Sequence, residues 1–345
     1  GLPFSIKLVY MVQRENKRFR RKNKMKKIFA LLLALAMVFA FFSCGKVQEE
    51  AVTVRMIALK GPTGMGVSKL MADNDDGKTK NKYNFTIAAA PTEVSAAVIG
   101  EKVDFAAMPV NLASVLINKG ADISLVAVNT LGVLYVLENG NEVTDIASLK
   151  GKTIYSTGAG ATPQYVLEYI LEKNGIDPKK DVTIEYLSEH AELAAKLAAG
   201  EVSIGVLPEP NVTSALINGK GNLRIALDIT SEWDKVSTSK LAQGCIVVSN
   251  KFRREHPEAY KAVVSELAAS VEYVNANNEE ASKLIEKYGI IPKAALAKKA
   301  LPNCNICFIT GDDANKCMQD MLAVLFEANP ASVGGKLPAD SFYGK

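Results

Sequence analysis

The chain contains Val98-Ile99-Gly100-Glu101-Lys102-Val103-Asp104-Phe105-Ala106-Ala107-Met108-Pro109 and, about a hundred residues later, the similar stretch Ala198-Ala199-Gly200-Glu201-Val202-Ser203-Ile204-Gly205-Val206-Leu207-Pro208. Each stretch is typical of a helix end, a short buried strand and a loop that contains proline. Each then continues into a second helix. Two copies of one strand-loop-helix unit in one chain predict two lobes of similar structure.

The segments that precede the two copies also correspond. A β-rich segment followed by a glycine-rich turn opens each lobe: Val52 to Leu59 with Gly61 to Gly66 in the first, and Thr153 to Tyr155 with Thr157 to Thr162 in the second. Strands that alternate with helices predict a mostly parallel sheet with helices on both faces. The expected fold class is therefore α/β, with two lobes that each hold such a sheet.

Two apolar runs are expected to connect the lobes. Ile123–Leu137 is longer than an ordinary strand and contains Gly132, and Gln243–Ser249 contains Gly244 within a β-branched run. The helices after the second run, at 257–275, 278–288 and 312–326, are expected to pack with the first lobe. The predicted segments are a leader at 1–44, a first lobe at 52–136 and 248–345, and a second lobe at 137–247.

The leader has the layout of a secretory signal peptide: Met25-Lys26-Lys27, an apolar run at 28–42, and Ser43-Cys44-Gly45. The apolar run is shorter than the roughly 20 residues that cross a bilayer as a helix. Its ending resembles the lipobox of bacterial lipoproteins, which implies lipidation of Cys44 and a membrane anchor. The alternative is ordinary cleavage with a coincidental cysteine. We interpret residues 1–24 as an over-extended gene start.

The basic charge of the chain lies in this leader. Residues 1–44 hold ten of the 41 basic and one of the 37 acidic residues, so the remainder has a net charge of −5. Nucleic-acid binding needs a basic surface to meet the phosphates, and the remainder offers no such excess. We therefore expect no nucleic-acid partner.

Short motifs across residues 52–345 identify a family resemblance. The chain resembles the binding proteins of ABC importers of the nitrate, sulfonate and taurine type, which include thiamine-precursor binders. The resemblance implies a two-lobed periplasmic-binding-protein fold of type II, an extracytoplasmic monomer, a small-molecule solute and an ABC permease as partner. The motifs that carry it are Gly61-Pro62-Thr63-Gly64, Val103-Asp104, Met108-Pro109-Val110-Asn111, Leu149-Lys150-Gly151-Lys152-Thr153-Ile154, Gly200-Glu201-Val202 and Leu207-Pro208-Glu209-Pro210.

The solute site is expected where strands end, because ligands of open parallel sheets bind at the carboxyl ends of the strands. In two facing lobes these ends converge on one cleft. The first lobe should supply Thr63, Gly64, Met65, Thr92, Glu93, Met108 and Asn111. The second lobe should supply Thr157, Gly158, Ala159, Thr162, Ser188, Glu189, Glu209 and Asn211.

The charge of the solute stays open at this point. The turn Thr157 to Thr162, followed by Pro163, favours an anion bound to backbone N–H groups at a helix start. The alternative for that turn is a simple strand-to-helix connection. The carboxylates Glu93, Glu189 and Glu209 favour a cationic or amphoteric solute instead, or are solvated and helix-capping groups.

Catalysis and metal binding have little support in the sequence. Only His190 and His256 exist, and neither has an evident nucleophile beside it. His256 is expected on the surface, and His190 is a weaker candidate for the cleft. Cys304-x-x-Cys307 with Cys317 lacks a fourth ligand, so a disulfide involving Cys317 or buried free thiols remain the alternatives. We predict no enzyme activity, cofactor or metal; the rivals are an exported or thiamine-pathway-like enzyme on this fold and a solute receptor for a sensor.

Overall fold

The computed structural model describes residues 51–219 and 221–344. The predicted leader, with Cys44, lies outside the described residues. Within the described part, no helix combines the length and the apolar character needed to cross a bilayer.

The first sheet forms from residues on both sides of the second lobe. The strands are β1 (Thr53–Leu59), β2 (Lys82–Ala88), β3 (Phe105–Pro109), β4 (Ile123–Leu131), β10 (Ala242–Ser249) and β11 (Ile306–Ile309). They lie in the order β11-β4-β10-β3-β1-β2. Strands β1 to β4 run in one direction, and β10 and β11 run in the other.

Helices cover both faces of the first sheet, which explains why its strands are apolar on both sides. One face carries α2 (Ser68–Asp75), α10 (Pro257–Ala276), α11 (Asn278–Lys287) and α12 (Ala294–Ala300). The other face carries α3 (Pro91–Ile99), α4 (Val110–Asn118) and α13 (Gly311–Ala328). Two short helices, α1 (Pro62–Met65) and α9 (Asn250–Glu255), follow β1 and β10. The three long C-terminal helices lie with the first sheet and close to the predicted ranges.

The second sheet consists of β5 (Leu134–Asn139), β6 (Thr153–Thr157), β7 (Thr183–Leu187), β8 (Ile204–Pro208) and β9 (Leu223–Asp228). These strands lie in the order β7-β6-β8-β5-β9. All of them except β5 run in one direction. The flanking helices are α5 (Thr162–Lys173) and α8 (Ile229–Val236) on one face, and α6 (His190–Ala199) and α7 (Asn211–Asn218) on the other.

Two mostly parallel sheets with helices on both faces confirm the predicted α/β fold class. Each lobe uses the same unit: a strand, a turn at its carboxyl end, and a helix that returns over the sheet. The short 3-10 helices are Ala147–Leu149, Leu301–Asn303, Pro330–Val333 and Asp340–Tyr343.

The chain crosses between the lobes earlier than the sequence pattern placed the boundaries. The apolar run Ile123–Leu137 forms two strands, and β5 already belongs to the second sheet from Leu134 onward. The return strand β10 belongs to the first sheet from Ala242 onward. Hydrophobicity cannot locate these points, because both strands are buried in whichever sheet they join.

Gly132 marks the place where the two crossing segments pack against each other. A Cβ atom at this position would overlap with Thr230 Oγ1 and would lie 2.5 Å from Leu241 Cδ2. Leu241 directly precedes the return strand β10, and Thr230 lies in α8 of the second lobe. Glycine is therefore required here by the close approach of backbone and side chains.

The C-terminal helix α13 joins the apolar cores of both lobes. It packs on β4 and α4 of the first lobe and on α5 of the second. Met318, Met321 and Leu325 of this helix are fully buried in one continuous cluster with Leu167 and Ile170 of α5. The side of the molecule that carries the crossings is thus held together by hydrophobic contact as well as by the chain itself.

Candidate functional site

The carboxyl edges of the two sheets face each other. Gly132 and Val133 connect β4, which leaves the first sheet at its carboxyl edge, to β5. Leu134 of β5 pairs with Pro208, the last residue of β8, so β5 enters the second sheet at that sheet's carboxyl edge. The two edges are therefore separated by a two-residue connection. Such facing strand ends form the crevice in which α/β proteins bind small ligands.

In the first lobe, the turn after β1 is shaped by glycine. Gly61 has a φ of 87°, and a Cβ on Gly64 would lie 2.5 Å from the Leu59 carbonyl oxygen. Thr63, Gly64 and Met65 are all buried, and Met65 packs in the core of the lobe. Of these three predicted residues, Thr63 offers a hydroxyl at the edge, whereas the Gly64 N–H already donates to the Gly61 carbonyl oxygen at 3.0 Å.

The other predicted positions of the first lobe divide by exposure. Thr92 and Glu93 are exposed at the start of α3, where the Glu93 carboxylate accepts a hydrogen bond from the Ala90 N–H at 3.2 Å. Glu93 is thus engaged as a helix-capping group. Met108 is fully buried near the end of β3. Asn111 is half-buried, and its amide donates to the Ser332 carbonyl oxygen at 3.5 Å.

Sequence reasoning missed a polar group at the end of β4 and the start of the antiparallel strand β10. Asn129 and Thr130 are almost wholly buried, and the Asn129 amide donates to the Thr63 carbonyl oxygen at 2.8 Å. Gln243 follows on β10, and its buried Oε1 has no hydrogen-bond partner within the described protein. Unpaired buried acceptors are rare and suit a donor from elsewhere. The available signal was the adjacent polar pair Asn129 and Thr130 within the apolar run Ile123–Leu137.

In the second lobe, the strand ends join Thr157 to His190. The Thr157 hydroxyl and His190 Nδ1 are 2.6 Å apart, a hydrogen bond between the end of β6 and the start of α6. Burial lowers the pKa of His190, which favours the neutral ring. The sequence offered no Ser or Cys as a partner for either histidine; the partner of His190 is a threonine, because the turn after β7 brings His190 back over the end of β6.

The turn after Thr157 partly satisfies its own backbone donors. Gly158 and Gly160 have φ angles of 74° and 72°, which glycine adopts without strain. The Gly160 N–H donates to Gln164 Oε1 at 2.7 Å and the Ala161 N–H to the Gly158 carbonyl oxygen at 3.0 Å. These two donors are therefore already engaged within the turn. The remaining predicted residues there are Gly158, Ala159 and Thr162, of which Ala159 is exposed and Thr162 buried.

The three remaining polar positions of the second lobe differ in exposure. Ser188 and Glu189 are exposed just before α6, and Asn211 is half-buried at the start of α7. Glu209 is 2 % exposed, and its carboxylate accepts hydrogen bonds from Thr213 and from Asn303 of the first lobe. Burial raises the pKa of Glu209, and these hydrogen bonds oppose the rise.

The cysteine and histidine motifs form no composite site in the described residues. All four described cysteines are free: Cys304 is in contact with the Ala300 carbonyl oxygen, and Cys307 with that of Val128. Burial raises the pKa of Cys307 to about 12, so it is a neutral thiol. Within residues 51–219 and 221–344, no three His, Cys, Asp or Glu side chains are arranged to hold a metal ion. His256 is half-buried and lies against Phe252.

Known proteins share this architecture. A solved ABC-transporter structure from Parabacteroides distasonis has a TM-score of 0.72 and 24% identity, covering 85% of this chain and 99% of that one. The periplasmic aliphatic sulphonate binding protein SsuA from Escherichia coli has a TM-score of 0.64 and 16% identity, over 83% and 92%.

Sequence similarity supports the same relationship. The putative binding protein YtlA of Bacillus subtilis (strain 168) is 34% identical over 94 residues, which is 27% of this chain and 28% of that relative. The NMT1-like family model matches residues 70–288, more than half of the 345 residues. The periplasmic-binding-protein-like fold and the family resemblance are thereby confirmed, and the chain belongs to the NMT1-like family.

Proposed function

We propose that this protein captures one small solute between the carboxyl edges of its two sheets and delivers it to the permease of an ABC importer. The observation that carries the proposal is the facing of the two edges across Gly132 and Val133, with polar groups on both sides. A solute held there contacts both lobes, and it therefore favours the closed arrangement over the open one. The similarity to SsuA and YtlA supports this class of function.

The proposed solute contacts comprise the fifteen positions predicted at the strand ends, except the core residues Met65 and Met108, together with His190, Asn129 and Gln243. Thr63 and Asn129 represent the first lobe, and Thr157 with His190 represents the second. Gln243, on β10 of the first sheet, adds an unpaired acceptor. Glu209 contributes to the second-lobe wall, but most of its hydrogen-bonding capacity is used by the protein itself.

The solute class is tested by a thermal-shift and calorimetric screen. Aliphatic sulfonates represent the anionic class, and amino-substituted pyrimidines represent the neutral and cationic class. A solute at 100 times its dissociation constant raises the free energy of unfolding by about 2.7 kcal/mol. Binding of one solute per chain with no chemical change of that solute supports the proposal. If no solute of either class binds with one-to-one stoichiometry, the proposed capture of a solute loses its support.

A second candidate function follows from the Thr157 and His190 pair, since a hydroxyl beside a neutral imidazole can act as a nucleophile. Such a pair also needs a third group to orient the ring, and Glu189 next to it is exposed. Release of a product from a bound ester or amide would favour this enzyme reading. We assign Thr157 and His190 a role in solute binding, in which they present a hydroxyl and a ring nitrogen to the solute.

We further propose that the protein works outside the cytoplasm as a monomer anchored by a lipid on Cys44. The basis is the order of basic, apolar and small residues that ends in Ser43-Cys44-Gly45. Replacing Cys44 with Ala is expected to abolish lipid labelling and detergent-phase partitioning in cells. Recovery of the wild-type protein without lipid would refute the anchor and leave solute binding untouched. A role as receptor for a membrane sensor would require the same capture step.

A further inference from the structure

Asn303 of the first lobe makes two hydrogen bonds to the second lobe. Its side-chain amide donates to Glu209 Oε1 at 3.0 Å, and its carbonyl oxygen accepts from the Tyr135 hydroxyl at 2.7 Å. Glu209 follows β8 and Tyr135 lies on β5, both in the second sheet. Asn303 itself precedes β11 of the first sheet. One residue thus connects two elements across the interlobe boundary.

The acceptor of this contact is held in place by its own lobe. Thr213 donates to both Glu209 oxygens, from its backbone N–H at 3.1 Å and its hydroxyl at 2.9 Å. The Glu209 N–H donates to the Val133 carbonyl oxygen at 2.9 Å. Prolines on both sides of Glu209 restrict the backbone further. The carboxylate is therefore oriented towards Asn303 before any interlobe contact forms, which reduces the entropy lost on making it.

Neighbouring contacts reinforce the same junction. Helix α12 of the first lobe packs against α7 of the second lobe. The Asn305 amide donates to the Gly132 carbonyl oxygen at 2.6 Å and so fixes the segment of Asn303 to the lobe crossing. The bonded atoms of Asn303, Glu209 and Tyr135 all belong to the protein, so this contact needs no solute.

We propose that Asn303, Glu209 and Tyr135 form an interlobe latch that stabilises the closed arrangement through the protein's own groups. Glu209 then acts as a positioning residue for closure. Its sequence-based assignment as a solute contact is secondary to this role. Only the closed arrangement brings both lobes onto one solute, and the apparent dissociation constant is the intrinsic constant divided by the closed fraction. The latch therefore raises the affinity through the closed fraction, apart from any contact that Glu209 makes with the solute.

The experiment measures lobe separation without solute, so its result stands apart from the function proposed above. Spin labels on ketone-bearing residues at positions 86 and 185 leave the native cysteines untouched. Both positions are exposed on β2 and β7, the edge strands farthest in sheet order from the crossing strands β4 and β5. Electron-electron distance measurements then compare the wild type with Asn303→Ala, Tyr135→Phe and Glu209→Gln.

We expect a short-distance population in the wild type that falls about tenfold relative to the open one in Asn303→Ala, since a hydrogen bond to a buried charge is lost. Tyr135→Phe should give a smaller shift in the same direction. Glu209→Gln should lower the closed population less than Asn303→Ala, because its single oxygen can still accept from Asn303 while the Thr213 N–H loses its acceptor. Asn141→Ala, at an exposed position of the second lobe, is the matched control.

Two results would overturn the latch: a wild type found wholly open, or an Asn303→Ala variant with an unchanged distance distribution. If circular dichroism shows that Asn303→Ala does not fold, Tyr135→Phe becomes the deciding variant, because it keeps the aromatic ring and loses only the hydroxyl. An unchanged distribution in Tyr135→Phe would then contradict the proposal.

Discussion

The Thr157 hydroxyl lies 2.6 Å from Nδ1 of His190, although 33 positions separate the two residues in the chain. The contact joins the end of β6 to the start of α6, the helix that follows the neighbouring parallel strand β7. A buried hydroxyl and a neutral imidazole at adjacent strand ends form a pair that can bind a polar solute group. It is the most specific chemistry at the facing edges of the second lobe.

Replacing Thr157 with Val should weaken solute binding about tenfold, because the hydroxyl is lost while the side-chain shape is kept. Calorimetric titration with a solute from the screen measures the change. Thr153→Val, on the same strand but exposed, is the matched control and should leave affinity unchanged. Equal affinities of the two variants would exclude Thr157 from the site.

Asn129→Ala should weaken binding from the first lobe by a similar factor. Its amide holds the Thr63 carbonyl oxygen, so the change also loosens the turn after β1. A buried carbonyl without its donor costs about 1 to 3 kcal/mol of the free energy of unfolding. Denaturant unfolding and titration together separate the two effects, and Asn141→Ala serves as the exposed control. An unchanged affinity would show that this edge does not meet the solute.

Gly132→Ala should destabilise the protein by about 1 to 3 kcal/mol, because the added methyl group meets Thr230 and Leu241. Thr230→Ala removes one of these contacts, so the double variant should recover part of the loss. Chemical denaturation of the single and double variants measures both effects. If Gly132→Ala is as stable as the wild type, the crossing segments do not pack as described.

Stability should depend on pH through Glu209, whose pKa burial raises above its ordinary value of 4.5. The folded protein then binds this proton more tightly than the unfolded chain. The contribution of Glu209 to the free energy of unfolding therefore falls as pH rises from about 4.5 through the folded-state pKa, and is constant above it. The facing titratable groups, Tyr135 and Cys304, stay neutral in this range because burial raises the pKa of both.

Glu209→Gln tests that dependence, since it resembles the neutral acid at every pH. The melting temperature of the variant minus that of the wild type should increase with pH over this window and then level off. A flat difference for Glu209→Gln would contradict the raised pKa.

Local patterns in the sequence were sufficient to predict the repeated units and the strand-end positions such as Thr157, because a strand, a glycine turn and a helix are each encoded by neighbouring residues. Contacts such as Asn303 to Glu209 span 94 positions and depend on how the lobes pack. Asn129 and Gln243 were missed for another reason: each lies within or at the start of an apolar run that was assigned to the lobe connections alone. Met65 and Met108, predicted at the edge, belong to the packed core.

The central claim is that one solute binds between the lobes and contacts both. Calorimetric titration of the wild type, Asn129→Ala and Thr157→Val with the same solute tests it most directly, because each variant changes one lobe. We predict one solute per chain and a weaker affinity in both variants. Two solutes per chain, or an affinity that only one lobe's variant changes, would contradict the account.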